Sequence, residues 1–471
     1  MRQATPGWPQ SVALQVHNAS WPDFTEASER WSTFSAPTFN AVFIPESKED
    51  LAAGVGYLAG NGIPFLAKSG GHGYSTTLKL IQNGVLINME NFNYTRMSND
   101  GTATVGAGAT FNDLVQVLGA AGREVTVGSC PCVGATGAML GGGVGRLQGV
   151  RGLTSDAVRK IRMVLWNGTI VEASDTANQD LFWGMRGAGQ NFGVVYETVF
   201  ETWPATNGGM NYEALLTFGP DAVGPVVDII DSLMPIDPAL AIGFVGGSNP
   251  ETLETIVALV LDYAGPQRKG SKFTNLFKNL SITVTESMIS YADLPTKGTG
   301  GLTLAKCING RRQDMYGIST KKLNRASFVT MFAEFGDLIK ANPALNASAF
   351  LVETFGQQAV KALPNDYDAF PHRRHIENLV EINMEYEDDS VAEAADAWAK
   401  KWRDHFKQPK VSGYDRWFTY QNYGHGDEPP SVLYGRAKWR HQKLTALKNT
   451  YDPHGVFNAF HAVPTSLADW D

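Results

Sequence analysis

Three stretches of this chain combine residue types and spacings that chemistry needs. The first, Lys68-Ser69-Gly70-Gly71-His72-Gly73-Tyr74-Ser75, packs three glycines around one histidine. Glycines leave backbone N–H groups unshielded, which suits a concave nest around a phosphate. A histidine held there is a base, a metal ligand or the carrier of a covalent group; a tight turn with a solvated histidine is the plainer alternative. The second stretch runs Gly128-Ser129-Cys130-Pro131-Cys132-Val133-Gly134-Ala135-Thr136-Gly137 and continues to Gly141-Gly142-Gly143-Val144-Gly145. It lacks the Gly-Lys-Ser/Thr ending of a Walker loop and the G-x-G-x-x-G of a dinucleotide fold. Two cysteines one residue apart, with no second pair nearby, do not make a zinc site, so no metal is expected. Cys132 reads as a buried thiol in a turn and Cys307 as a core thiol. The third stretch, Arg186-Gly187-Ala188-Gly189-Gln190-Asn191-Phe192-Gly193-Val194-Val195, is a loop entering a buried strand.

The elements that must position these loops follow from pattern. Ser47 caps a helix whose Leu51, Val55 and Leu58 recur at helical spacing, and Gly60 and Gly62 stop it. A short strand over 64–67 then delivers the chain into the His72 loop. A second strand covers 85–87, and Thr110 caps a helix carrying Leu114, Val115 and Leu118. Asn167-Gly168 marks a hairpin between 161–166 and 169–172, and another strand spans 193–202. Beyond about residue 205 the glycines thin out. Strands are expected at 212–217, 256–263, 350–354 and 379–386. A helix over 390–406 aligns Ala392, Ala395, Trp398 and Trp402, and a single final helix covers 432–451.

Composition narrows the class. With 471 residues and 43% hydrophobic content the chain can bury a sizeable core. A formal net charge of −8, with no Lys/Arg stripe, excludes a nucleic-acid partner. No apolar run reaches about 18 residues, so no membrane span is expected. Five N-x-S/T sequons, at Asn18, Asn93, Asn167, Asn279 and Asn346, favour a glycoprotein of the secretory pathway. The start at Met1 carries no apolar leader, so any leader would have been removed upstream of it.

In their order and spacing, the three glycine-rich stretches resemble the vanillyl-alcohol-oxidase superfamily (PCMH-type FAD-binding flavoproteins), specifically the berberine-bridge-enzyme-like branch and its fungal members. The resemblance is strong to about residue 204 and loose through the middle. It resumes at Tyr434-Gly435 and at Tyr451-Asp452-Pro453-His454-Gly455-Val456-Phe457-Asn458. It implies an α+β fold with a two-lobed FAD-binding domain over 1–204. A substrate domain over 205–425 would be built on an antiparallel sheet covered by helices, and a C-terminal segment, 426–471, would return to the FAD domain. His72 matches the histidine that links to the flavin 8α position, and Cys130 the cysteine that links to position 6. A neutral imidazole and a thiolate are the nucleophiles such bonds require. The resemblance places Ser69, Gly70, Gly71, Gly73, Tyr74, Val133, Gly134, Gly137, Gly142, Gly193, Val195 and Asn458 around the cofactor. Val133 matches a position that gates oxygen, where a small valine goes with oxidases.

The run Trp417-Phe418-Thr419-Tyr420-Gln421-Asn422-Tyr423 resembles the branch's Y-x-N-Y motif. This makes Tyr423 the candidate base, with Tyr420 beside it. A free phenol has a pKa near 10, so Tyr423 needs a lowered pKa or a partner that shares its proton. The acidic residue the motif usually carries two positions later is replaced here by His425, a candidate substitute partner. Alternation places Glu381, Asn383 and Glu385 on one strand face, which makes Asn383 and Glu385 candidates for contact with substrate. Glu353, Gln357 and Gln358 fall in a second stretch that can line the cavity. The implied reaction is a two-electron oxidation of a small organic substrate, such as a secondary-metabolite alcohol. Hydride passes to bicovalently bound FAD, oxygen is reduced to hydrogen peroxide, and the expected form is a monomer. An oligosaccharide oxidase acting at the anomeric carbon, a dehydrogenase or oxidative cyclase of the same fold, and a flavin-storage protein without turnover are the alternatives.

Overall fold

The computed structural model describes residues 7–471, and the chain folds as an α+β protein around three main sheets. The first has four strands in the order Val16–Asn18, Phe39–Phe43, Gly84–Asn88, Phe65–Lys68. Its last two pairings are parallel, with helix Lys48–Gly60 as the crossover. Ser47 caps that helix by accepting from the Asp50 N–H, and Leu51, Val55 and Leu58 are buried beneath it. The second sheet has five antiparallel strands, ordered Thr95–Met97, Thr102–Gly106, Val194–Glu201, Val158–Val164, Ile170–Ser174. Val164 pairs with Ile170 across the Asn167-Gly168 turn, and Thr110 closes a reciprocal capping box with Asp113 on helix Phe111–Ala120.

The third sheet has seven antiparallel strands. Their order is Thr283–Ser290, Met210–Phe218, Thr255–Tyr263, Leu240–Ser248, Ala349–Phe355, Asn378–Tyr386, Arg312–Thr320. Helices Val223–Ser232, Arg325–Ala341 and Ala392–Phe406 cover one face. Side chains alternate across a strand, so Val352, Val380, Ile382 and Met384 join the helices in the core. Their neighbours Leu351, Glu353, Glu381 and Asn383 line a cavity on the other side.

Three of these strands, Leu240–Ser248, Thr283–Ser290 and Arg312–Thr320, do not stand out in the sequence. The first carries Gly243, Gly246 and Gly247, and Gly246 is required because a Cβ there would sit 2.1 Å from the Phe350 ring. The second is an exposed edge strand of polar composition. The expected single helix over 432–451 is two, Pro430–Tyr434 and Lys438–Tyr451, broken where Gly435 turns to φ +84°. Leu433, Tyr434, Leu444, Leu447, Val463 and Trp470 pack into the core of the five-stranded sheet, against Phe182, Trp183 and Phe192 among others. Among the described residues no helix is long and apolar enough to cross a membrane.

Candidate active site

A cavity of about 680 Å³ lies between the glycine-rich loops and the open face of the seven-stranded sheet, within the usual range for a small-molecule site. The loops that form its wall touch each other closely. A Cβ on Gly70 would lie 2.4 Å from Gly134 N and 2.5 Å from Cys132 O, so only glycine lets the His72 loop meet the Cys130 loop. Consecutive left-handed residues, Gly142 (φ +118°) and Gly143 (φ +78°), turn the chain after helix Ala135–Leu140. At the far end, Asp452 accepts from the Val456 and Phe457 N–H groups at 2.8 and 3.0 Å and folds those two residues onto the wall.

Most of the residues singled out from sequence converge on this cavity. Ser69, Gly70, Gly71, His72, Gly73 and Tyr74 line it from one loop, and Cys130, Val133, Gly134 and Gly137 from the next. Gly193, Val195, Asn383, Tyr420 and Tyr423 complete the set. Gly142, Glu385 and Asn458 are not on the wall. Gly142 packs under the Phe370 ring, and Asn458 folds against Gly455. Glu385 is taken by Lys306 and Arg311 at 2.6 and 2.7 Å. Burial opposes ionisation of Glu385, but those two cations hold its carboxyl below the usual range. Gln357 and Gln358 are also spent on backbone carbonyls, those of Phe355 and Ile376 for the first and of Ile236 for the second.

Several buried polar atoms on the wall have no hydrogen-bond partner among the described residues: Arg30 Nε, Ser69 Oγ, Thr136 Oγ1 and Asn383 Oδ1. Orphaned polar atoms in a protein interior are rare and costly. A polar ligand would satisfy them, and the first three lie with the glycine loops where a phosphate-bearing, hydroxyl-rich cofactor such as FAD fits.

The histidine and cysteine at this edge have unequal reactivity. Burial, reinforced by the Arg30 charge, lowers His72 to about 4, so its imidazole is neutral at physiological pH. Burial pushes the Cys130 thiol up to about 11, opposed by the backbone N–H groups of Cys132 and Val133 and by Arg146. Cys132 and Cys307 are not isolated thiols but a disulfide joining positions 175 residues apart. His72, Cys130 and Cys132 present ligand atoms within 4.8 Å of one another. A disulfide sulfur is not a thiolate, however, and this trio does not have the donors of a metal site.

Tyr423 donates its hydroxyl to Glu353 Oε2 at 2.7 Å. Burial and the nearby Glu353 and Glu381 carboxyls raise Tyr423 well above an ordinary phenol. Burial also raises Glu353. Tyr74 makes a similar bond to Glu381 Oε1 at 3.3 Å, and burial together with Glu353 raises Glu381 well above its usual range. The sequence-based pairing of Tyr423 with His425 is therefore corrected to Glu353. His425 faces away, with Nδ1 3.1 Å from Met315 O and its ring stacked on Tyr316 at 4.1 Å. Tyr420 lines the cavity, but its hydroxyl is occupied, accepting from Gly143 N at 2.9 Å and Asn422 Nδ2 at 2.7 Å. It supports the glycine turn.

Sequence reasoning missed a buried acid cluster at the wall. Arg146 Nε lies 2.6 Å from Asp262 Oδ2, and Glu213 accepts from Thr299 N at 2.7 Å. Burial, with Asp262 beside it, raises Glu213 to about 8. A carboxyl whose folded pKa is raised stabilises the fold fully only below its unfolded pKa, and that stability is lost as pH rises through the folded value. The contribution of Glu213 to stability should therefore fall between about pH 5 and pH 9, opposed below about pH 7 by buried histidines such as His72, whose lowered pKa makes stability rise with pH. Glu213→Gln should flatten part of that fall, as calorimetry across the range would show.

Comparison with known proteins agrees with this geometry. An FAD-binding domain family matches residues 39–174. An FAD-linked oxidoreductase, OXR1, of Pyricularia oryzae is 36% identical over 464 residues, 97% of this chain and 90% of that protein. The Neurospora crassa FAD-linked oxidoreductase srdI is 32% identical, covering 97% and 91%. Among solved structures, the Physcomitrella patens BBE-like 1 protein superposes with a TM-score of 0.82 at 20% identity, covering 96% of this chain and 97% of that one. Berberine bridge enzyme superposes with 0.78 at 19%, covering 96% and 97%. The chain belongs to the FAD-linked oxidoreductases, shares the fold of BBE-like 1 and berberine bridge enzyme, and is an FAD-binding enzyme.

Proposed function

We propose that this protein is an oxidase that takes two electrons from a small organic alcohol, such as a secondary metabolite, and delivers them to oxygen as hydrogen peroxide. The observation that carries the reading is the Tyr423–Glu353 hydrogen bond, 2.7 Å long, on the wall of the cavity that also presents His72 and Cys130. FAD supplies the hydride acceptor when bound, attached in this proposal through His72 and Cys130. Tyr423 Oη takes the substrate hydroxyl proton while passing its own to Glu353 Oε2. The phenol thereby acts as a base without accumulating as phenolate, which its raised pKa disfavours. Asn383 is held by its Nδ2 on Gln313 at 2.8 Å and has a free Oδ1 to orient the substrate. Val133 on the wall supports oxygen as the acceptor.

The wall contributed by Ala241, Val245, Val260, Leu351 and Phe355 is apolar, which favours a lipophilic substrate over an oligosaccharide. A panel of aromatic, polyketide-like and sugar alcohols, assayed by peroxide release and by anaerobic bleaching of the flavin, tests the reading. Peroxide with a lipophilic alcohol supports it. Bleaching that only an artificial electron carrier reverses would contradict the oxidase assignment, and turnover confined to sugars would contradict the substrate class.

A further inference from the structure

His72 is gripped from two sides, and both grips lead to one short segment. The Trp31 indole stacks on the imidazole with centroids 4.9 Å apart and planes 17° from parallel. At the ring edge, His72 Nε2 lies 3.2 Å from Cys132 Sγ. Trp31 donates its indole N–H to Lys306 O at 2.7 Å, and Cys132 is bonded to Cys307. Adjacent residues 306 and 307 therefore anchor both neighbours of the histidine. The Lys306–Glu385 ion pair fastens the same segment to the sheet.

The sulfur chemistry sets the imidazole tautomer. A sulfur in a disulfide carries no hydrogen and can only accept, so its contact with Nε2 assigns the ring proton to Nε2 and leaves the lone pair on Nδ1. Without Cys307, Cys132 would carry an S–H able to donate to Nε2 and draw the proton to Nδ1. It would also be a second thiol beside Cys130, whose Sγ is only 3.4 Å away.

We propose that the Cys132–Cys307 disulfide is a positioning device for flavin attachment. It holds His72 as the Nε2–H tautomer with Nδ1 as the nucleophile, and it removes Cys132 as a competitor of Cys130. This rests on the covalent attachment proposed above. Attachment forms one bond from Nδ1 to the ring-methyl carbon and breaks one C–H bond of that methyl. The imidazole then sheds its Nε2 proton, and the two protons and two electrons leave on dioxygen as hydrogen peroxide. Cys132, Cys307 and Trp31 thus act through His72, as the groups around a metal-bound histidine act through their ligand.

The test compares wild type with Cys307→Ser by peptide mapping of the flavin carried on the His72 peptide, with thermal unfolding and total bound FAD as controls for the fold. Covalent flavin on the His72 peptide should fall roughly tenfold in Cys307→Ser, while cooperative unfolding and total bound FAD persist. Equal flavin on the His72 peptide of both proteins overturns the proposal. A wild type without covalent flavin overturns the attachment reading itself, which is a separate result. Should Cys307→Ser fail to fold, flavin-free wild type is incubated with FAD before and after reduction with a phosphine. Attachment at His72, followed on its peptide, should slow roughly tenfold after reduction, and an unchanged rate there overturns the proposal.

Discussion

Replacing Tyr423 by Phe should lower the rate of flavin reduction by roughly 10²–10⁴-fold while FAD stays in place. The substitution removes one oxygen and keeps the ring, which packs edge-on against Tyr420 at 4.9 Å, so the wall survives and only the proton acceptor is lost. Taken alone, a phenol raised well above its ordinary pKa would be a poor base. The bond to Glu353 resolves this, because a proton arriving at Tyr423 displaces one already directed at a carboxylate. Glu353 can accept that proton only when ionised, so the reductive rate should climb as pH rises through its raised pKa. Glu353→Gln should lose both the rate and that limb of the profile, as stopped-flow reduction with a substrate found by peroxide release would show. A Tyr423→Phe enzyme with wild-type reduction kinetics would remove Tyr423 from the mechanism.

Removing both proposed attachment points should convert bound flavin from acid-stable to extractable. In the double variant His72→Ala/Cys130→Ala, essentially all flavin moves to the supernatant on acid precipitation. Each single variant keeps flavin in the pellet through the remaining bond. The unequal reactivities predict an order. The neutral His72 imidazole is ready to react, whereas burial holds Cys130 as a thiol. Cys130→Ala should therefore leave attachment at His72 intact, and the His72→Ala protein should acquire its flavin more slowly. Flavin retained in the double variant would place the attachment elsewhere.

The glycine-rich half of the molecule was legible in the sequence because its information is local. Ser47 and Thr110 cap their helices as their types require, and the His72, Cys130 and Gly193 loops meet because their glycines permit it. The seven-stranded sheet behind the cavity was harder to read. Leu240–Ser248 carries three glycines and Thr283–Ser290 is an exposed polar edge, so neither shows the alternation that marks a half-buried strand. Gly435 ends a helix that periodicity alone would continue.

In the site, the residue types could be read but their partners could not. Glu353 and Tyr423 are 70 residues apart and meet only because the turn at Tyr423 packs on Gly317 of strand Arg312–Thr320, two strands across the sheet from Ala349–Phe355. His425, nearer in sequence, is turned away by its stack on Tyr316. Asn383 and Glu385 share a strand face, yet Lys306 and Arg311 claim only the second. The Cys132–Cys307 bond spans 175 residues, and nothing in the spacing of three cysteines announces it.

Peptide mapping of the intact wild-type protein, with mass measured before and after acid precipitation, tests the central claim most directly. The account predicts an FAD-sized addition divided between the peptides containing His72 and Cys130, with no flavin in the supernatant. Flavin wholly in the supernatant, with both peptides at their unmodified mass, would contradict it.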